Sequence, residues 1–195
     1  VGCGAVGQVI AQKLGTSPHI SNLVLADVRL NAVEAVAKRM RCEEVSTSRV
    51  DARNPQEVAR LAKGVDLVIN GTTPALNLKI MEGCLKGGAS YIDMATGHPL
   101  FGHPTFEDQF ILDKKWEDAG LLALLSIGID PGASDLFAKR AADRMESVDY
   151  VKVRDADTGR SDGYSFAACF CPEAMMEEIH NDATFFENGE WCSSP

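Results

Sequence analysis

The sequence contains no run of about 18 apolar residues of the kind that spans a bilayer, and its mean hydropathy is −0.08. It also lacks basic residues in excess: 19 Lys and Arg stand against 28 Asp and Glu, a formal charge of −9. That balance removes the diffuse positive field on which nucleic-acid and anionic-membrane binding depend. The six cysteines, at 3, 42, 84, 169, 171 and 192, form no CxxC pair. Neither a disulfide framework nor a cysteine zinc site is expected, and reduced thiols in a cytoplasm are the simplest reading. No succession of basic, apolar and small residues marks a signal peptide.

What is present is ordinary globular material, with 45% hydrophobic and 24% charged residues. Up to about residue 147 short β-like runs alternate with helical ones, the rhythm of a parallel α/β sheet. Helices are expected at Ala5–Leu14, Leu30–Arg41, Pro55 to Gly64, Ala75–Lys86, Thr105 to Ala119 and Ser134–Met145. Strands are expected at Leu23–Ala26, Val45–Asp51, Val65–Asn70 and Tyr91–Asp93, with a heavily buried one at Leu121–Ile127. The character changes in the stretch 148–195. Tyr150–Arg154 and Tyr164–Cys171 read as strands, Pro172–His180 as a helix, and Asn188-Gly189 as the turn of a hairpin. This tail reads as the opening of a second, α+β domain.

Chemistry enters with Gly2-Cys3-Gly4-Ala5-Val6-Gly7, a GxGxxG run that opens a helix. Gly2 permits a tight turn, Gly4 lets a pyrophosphate approach the backbone, and Gly7 lets the helix pack closely. With Ala5 and Val6 between them, these residues offer unpaired N–H groups and a positive dipole end to phosphate. Asp27 ends the next strand, where an acid accepts hydrogen bonds from an adenosine ribose. The order of glycine loop, helix, strand and acid favours dinucleotide binding over a chance turn beside a surface aspartate. Asp27 would repel a 2′-phosphate and Arg29 would pair with one, so NAD and NADP both fit, with the balance leaning to NAD.

Other strand ends fall where a doubly wound sheet gathers its ligands. Asp51 borders the adenine side, and Asn70, Thr72 and Thr73 the ribose on the nicotinamide side. Asp93 and Asp130 are candidates to face a substrate, as a carboxylate for an amine or as a base; helix capping explains them equally well. No Tyr stands four residues before a Lys, no Gly-Lys-Ser/Thr and no G-x-S-x-G occurs, and His98 and His103 have no third ligand near them. No metal site is expected, and no catalytic acid or base is singled out.

Four stretches resemble the saccharopine dehydrogenase-like oxidoreductases. They are GCGAVGQVIAQKL at 2–14, LVLADVR at 23–29, GCLKGGASYIDMA at 83–95 and GIDPGASDLFA at 128–138. The resemblance implies a Rossmann-like doubly wound domain over 1–147, followed by the start of a truncated substrate domain over 148–195. It implies hydride transfer between NAD(P) and a C–N bond of an amino acid or polyamine precursor. In that family a first strand precedes the glycine loop at the centre of the sheet; here only Val1 stands in that place. The 195 residues alone are therefore expected to be a fragment and inactive, with association as a homodimer left open. Two alternatives stand beside this: a dehydrogenase or epimerase of another Rossmann family acting on a sugar or hydroxy acid, and a non-catalytic NAD(H)-binding module.

Overall fold

The computed structural model describes residues 1–40, 44–98, 101–154, 156, 162–163, 172–180 and 182–194. Helix α1 (Ala5–Leu14) opens directly from the glycine loop. Strand β1 (Leu23–Asp27), helix α2 (Leu30–Ala37), strand β2 (Val45–Arg49) and helix α3 (Pro55–Ala62) follow. Asn54 caps α3, its side-chain oxygen accepting the Gln56 N–H at 3.0 Å, and Pro55 occupies the first turn, where the missing N–H costs nothing. Then come β3 (Leu67–Ile69), a 3-10 turn (Pro74–Leu76), α4 (Asn77–Gly87) and β4 (Ser90–Ile92). The parallel part ends with α5 (Phe106–Phe110), α6 (Asp113–Ala119), β5 (Ala123–Leu124) and α7 (Ala133–Ala142). Helix α8 (Pro172–His180) and an antiparallel hairpin, β6 (Ala183–Glu187) and β7 (Glu190–Ser194), complete the described elements.

The parallel strands form two half-sheets. One pairs β1 with β2, Asp27 lying opposite Arg49; the other has the order β3-β4-β5. Val1 and Gly2 cross between them: Gly2 N–H donates to Ala26 O at 2.8 Å, the Val1 nitrogen to Ile69 O at 2.7 Å, and Gly71 N–H to Val1 O at 2.7 Å. Beyond this crossing lies a cavity of about 480 Å³ lined by Ala11, Leu14, Leu25, Leu61 and Val68 among others.

The core is in two clusters, the larger of which also takes in Ala26 of β1 and Val50 after β2. Leu25, Val33, Val36 and Ala11 are buried beside β1. A larger cluster of Val58, Val68, Ile80, Met81, Tyr91 and Trp116 surrounds β3–β5. In that second cluster α3 and α4 approach closely: a Cβ on Gly83 would lie 2.5 Å from Val58 and one on Gly87 2.4 Å from the Ala62 side chain.

Several expectations require correction. Of Leu121–Ile127 only Ala123 and Leu124 are in a strand, and Leu122 and Ile127 are exposed, because β5 is the edge of its half-sheet. Tyr150–Arg154 forms no strand: its alternating pattern finds no partner among the described residues, and the segment is exposed. The run from Thr105 to Ala119 breaks into two helices at Ile111 and Leu112, and the helices begun at Leu30 and Ala133 end earlier than their patterns. Tyr164–Cys171 lies outside the described residues. The Asn188-Gly189 turn is present, with φ of 53° and 87°, the left-handed pair that a two-residue hairpin needs.

Candidate functional site

At the N-terminus of α1 the three glycines differ in their surroundings. Gly2 has φ of 85°, and a Cβ there would lie 2.7 Å from the Gly71 backbone and 2.8 Å from Thr72 Cγ2. A Cβ on Gly7 would stand 1.9 Å from Gly2 O, so this position tolerates only hydrogen. A Cβ on Gly4 would meet nothing within 4 Å. No side chain caps the helix, so its first N–H groups face the open space over Gly4, and Ala5 and Val6 beside them are exposed. This is the cradle that a pyrophosphate requires, and the residues present fit it.

Asp27 ties this loop to β1. Its Oδ2 accepts the Cys3 N–H at 2.9 Å and its Oδ1 the Arg29 N–H at 3.0 Å. Burial raises its pKa, but the two N–H groups and the Arg29 guanidinium outweigh that and hold the carboxyl below its ordinary value. Arg29 Nε stands 3.7 Å away with its side chain 69% exposed, which leaves the guanidinium open to a ligand. At the end of β2, Asp51 is held bidentately by Arg53, at 2.9 and 2.7 Å. This pairing takes the Asp51 pKa down to about 2.

On the other half-sheet the strand ends meet in a buried polar cluster. Asn70, after β3, accepts the Thr72 N–H and O–H on its Oδ1 at 2.9 and 2.6 Å. Its Nδ2 donates to Asn77 Oδ1 at 2.9 Å and to the Tyr91 oxygen at 3.0 Å. Tyr91 in turn donates to Asp93 Oδ2 at 2.9 Å, and Gln109 Nε2 donates to the same oxygen at 2.7 Å. Asp93 is 1% exposed. Burial pushes its pKa up against the N–H and O–H groups that bond it.

The structure thus brings Gly2, Gly4, Ala5, Val6, Gly7, Asp27 and Arg29 to one rim. It lays the Asn70–Thr73 loop against that rim through the Gly2–Gly71 contact. Asp51 sits apart in its ion pair. Asp130 is exposed, its Oδ1 accepting the Ser134 hydroxyl at 2.8 Å. Asp93, expected to face the cleft, is turned inward with both oxygens bonded. Sequence reasoning missed Tyr91, Asn77, Gln109 and Ser126. The readable signal was Asn77, which shares the apolar stripe of α4 with Ile80, Met81 and Cys84, where a polar residue must have partners.

The fold and the glycine-loop rim define a Rossmann-type dinucleotide-binding domain. A model of the saccharopine dehydrogenase NADP-binding domain matches residues 1–124. The chain belongs to that family. Among curated proteins it is 31% identical to a carboxyaminopropylagmatine dehydrogenase of Synechocystis over 98% of this chain and 49% of that protein. It is also 31% identical to a carboxynorspermidine synthase of Vibrio alginolyticus over 100% of this chain and 51% of that protein. The chain therefore spans about half the length of these relatives. Among solved structures, apo saccharopine dehydrogenase (L-Glu forming) from Saccharomyces cerevisiae shares the fold at a TM-score of 0.62 and 20% identity, over 73% of this chain and 29% of that one.

Proposed function

We propose that this chain supplies the dinucleotide-binding part of an NADP(H)-dependent oxidoreductase acting at a C–N bond of a carboxylated polyamine precursor. The observation that carries the reading is the uncapped, glycine-lined N-terminus of α1, set between Asp27 and the Asn70–Thr73 loop. When bound, the dinucleotide supplies or accepts the hydride. The chain's own work is binding and orientation. Backbone N–H groups of Gly4, Ala5, Val6 and Gly7 face the pyrophosphate; Asp27 holds the loop, and Arg29 beside it faces the adenosine ribose. Asn70, Thr72 and Thr73 border the nicotinamide ribose, Asp51 the adenine side. For Asp130, an exposed carboxylate after β5, the proposed role is binding a cationic amine.

The choice of NADP(H) over NAD(H) rests on Arg29. Both Asp27 oxygens already accept backbone N–H groups, which turns the carboxylate into the loop, while the exposed guanidinium beside it suits a 2′-phosphate. The substrate class is supported by the names of the two relatives. The test is absorbance at the nicotinamide band on the full-length gene product, with NADPH and NADH offered alongside carboxylated polyamines, saccharopine and lysine. NADPH-linked turnover of a carboxylated polyamine is expected. Binding of the dinucleotide with turnover of nothing overturns the oxidoreductase reading in favour of a non-catalytic module.

A further inference from the structure

The buried cluster has a direction. Thr72 donates to Asn70, Asn70 to Asn77 and Tyr91, and Asn77 Nδ2 to Gln109 Oε1 at 3.3 Å. Gln109 and Tyr91 then both donate to Asp93 Oδ2. The side-chain bonds of the cluster run toward the Asp93 carboxylate, which only accepts. The Asp93 carboxylate fixes which way the Gln109 amide and the Tyr91 hydroxyl face; the Ala95 carbonyl, accepting Asn77 Nδ2 at 2.9 Å, also fixes Asn77, and the Thr72 N–H fixes Asn70. Asn70 Oδ1 is thereby left facing Thr72. The other Asp93 oxygen, Oδ1, accepts the Ser126 N–H at 2.6 Å. Ser126 has φ of 56°, a left-handed backbone that a serine rarely adopts. Its hydroxyl is buried without a protein partner, so the backbone and not the side chain is what Asp93 holds. Among the described residues no cation bonds Asp93. A buried charge kept without a counter-ion, and satisfied by donors from β4, α5 and the β5 loop, is costly as packing alone.

We propose that Asp93 is a positioning residue that sets, from beneath, both loops between which the nicotinamide end lies: Asn70–Pro74 through the amide chain and Ser126–Gly132 through the Ser126 N–H. This rests on the reading that the site takes a dinucleotide, whose adenine end lies over the other half-sheet. The Asp93→Asn exchange keeps the shape but puts an NH2 where an acceptor is needed. If its oxygen keeps Ser126, the NH2 faces Gln109 Nε2. Relieving that clash turns the Gln109 amide and sets its NH2 against Asn77 Nδ2, which the Ala95 carbonyl holds in place, so the displacement passes to the Asn77–Asn70 bond and the loop it supports.

The test compares ligands that share an adenine end, on the full-length gene product. NADPH and NADH are titrated beside 2′-phospho-ADP-ribose and ADP-ribose, which lack nicotinamide. For Asp93→Asn the expected result is a roughly tenfold weaker affinity for the preferred dinucleotide, with affinity for its nicotinamide-free counterpart unchanged. Tyr91→Phe deletes one donor with almost no change in volume; it is expected to give a smaller loss, about threefold, with the same selectivity. It decides the matter if Asp93→Asn fails to fold. Equal weakening of both ligands, or of neither, overturns the proposal. A wild-type protein that binds none of the four ligands overturns the dinucleotide reading, and this proposal falls with it.

Discussion

The two half-sheets end their strands at the same rim by opposite chemistry. At the ends of β1 and β2 the polar groups are ionic, each carboxylate paired with a guanidinium that reaches water: Asp27 with Arg29, Asp51 with Arg53. At the ends of β3 and β4 they are amides, a phenol and one carboxylate, all buried and bonded to one another. Water and salt screen the first set, so each pair contributes little to stability and is easily rearranged by a ligand. The second set is shielded, so each bond is stronger and each loss leaves a buried group unsatisfied. A rim built this way is adaptable where it meets the adenine end and rigid where geometry must serve the reacting end.

The largest test of this contrast is Asp93→Ala. It leaves the Ser126 N–H, the Tyr91 hydroxyl and the Gln109 amide without their acceptor and is expected to cost about 4 kcal/mol in urea unfolding. Next is Gly7→Ala, where the new methyl meets Gly2 O at the crossing between the halves. Overpacking of this kind costs about 3 kcal/mol, and phosphate-directed binding should be lost with it. Asn54→Ala removes the side-chain cap of α3 and should cost about 1 kcal/mol by the same measurement. Arg53→Ala should leave the unfolding midpoint nearly unchanged in 0.5 M salt, since the guanidinium of the pair it breaks is solvent-exposed and screened; a large shift there would erase the proposed contrast.

Acid titration separates the halves by sign. The Asp27 pKa is lowered on folding, so the unfolded chain binds the proton more readily. Its contribution to stability is present above the unfolded value and is lost as the pH falls through the folded one. The Asp93 pKa is raised, so the folded protein binds the proton more readily, and stability falls as the pH rises from the unfolded value through the folded one. Unfolding free energies measured from pH 2 to 7 should therefore lose an upward slope with pH in Asp27→Asn. In Asp93→Asn they should lose a downward one. Slopes of the same sign would mean that the two carboxylates share one environment.

Local rules carried most of what the sequence revealed. The GxGxxG loop opening Ala5–Leu14, the Asn54-Pro55 cap, the Thr105–Asp108 capping box and the Asn188-Gly189 turn each act within a few residues, and each is present. Asp27 was legible because its spacing from the loop is itself a local property. The burial of Leu121–Ile127 was not, because an apolar run does not say whether its strand is central or at an edge. The Asp93 network was illegible for a related reason. Its members come from β3, α4, β4 and α5, and only the fold makes them neighbours. Gln109 is buried while Phe110 beside it is 54% exposed, an inversion that no hydrophobicity pattern predicts. The tail after Val148 misled because alternation along Tyr150–Arg154 describes a strand only when another strand is there to pair with it.

The crossing at Val1 and Gly2 is a joint at which β1 and β3 are tied through two residues, above a core that Ala26 and Val50 share with Val68 and Ile80. A ligand lying on the glycine loop, which is fastened to β1, and on the Asn70 loop, which leaves β3, bridges that joint from above. Its binding free energy is then also cohesion. At a free concentration of about 100 times Kd such a ligand adds about 2.7 kcal/mol to the folded state. The melting temperature should climb with the logarithm of dinucleotide concentration, so the lifetime of the folded chain would follow the supply of its cofactor.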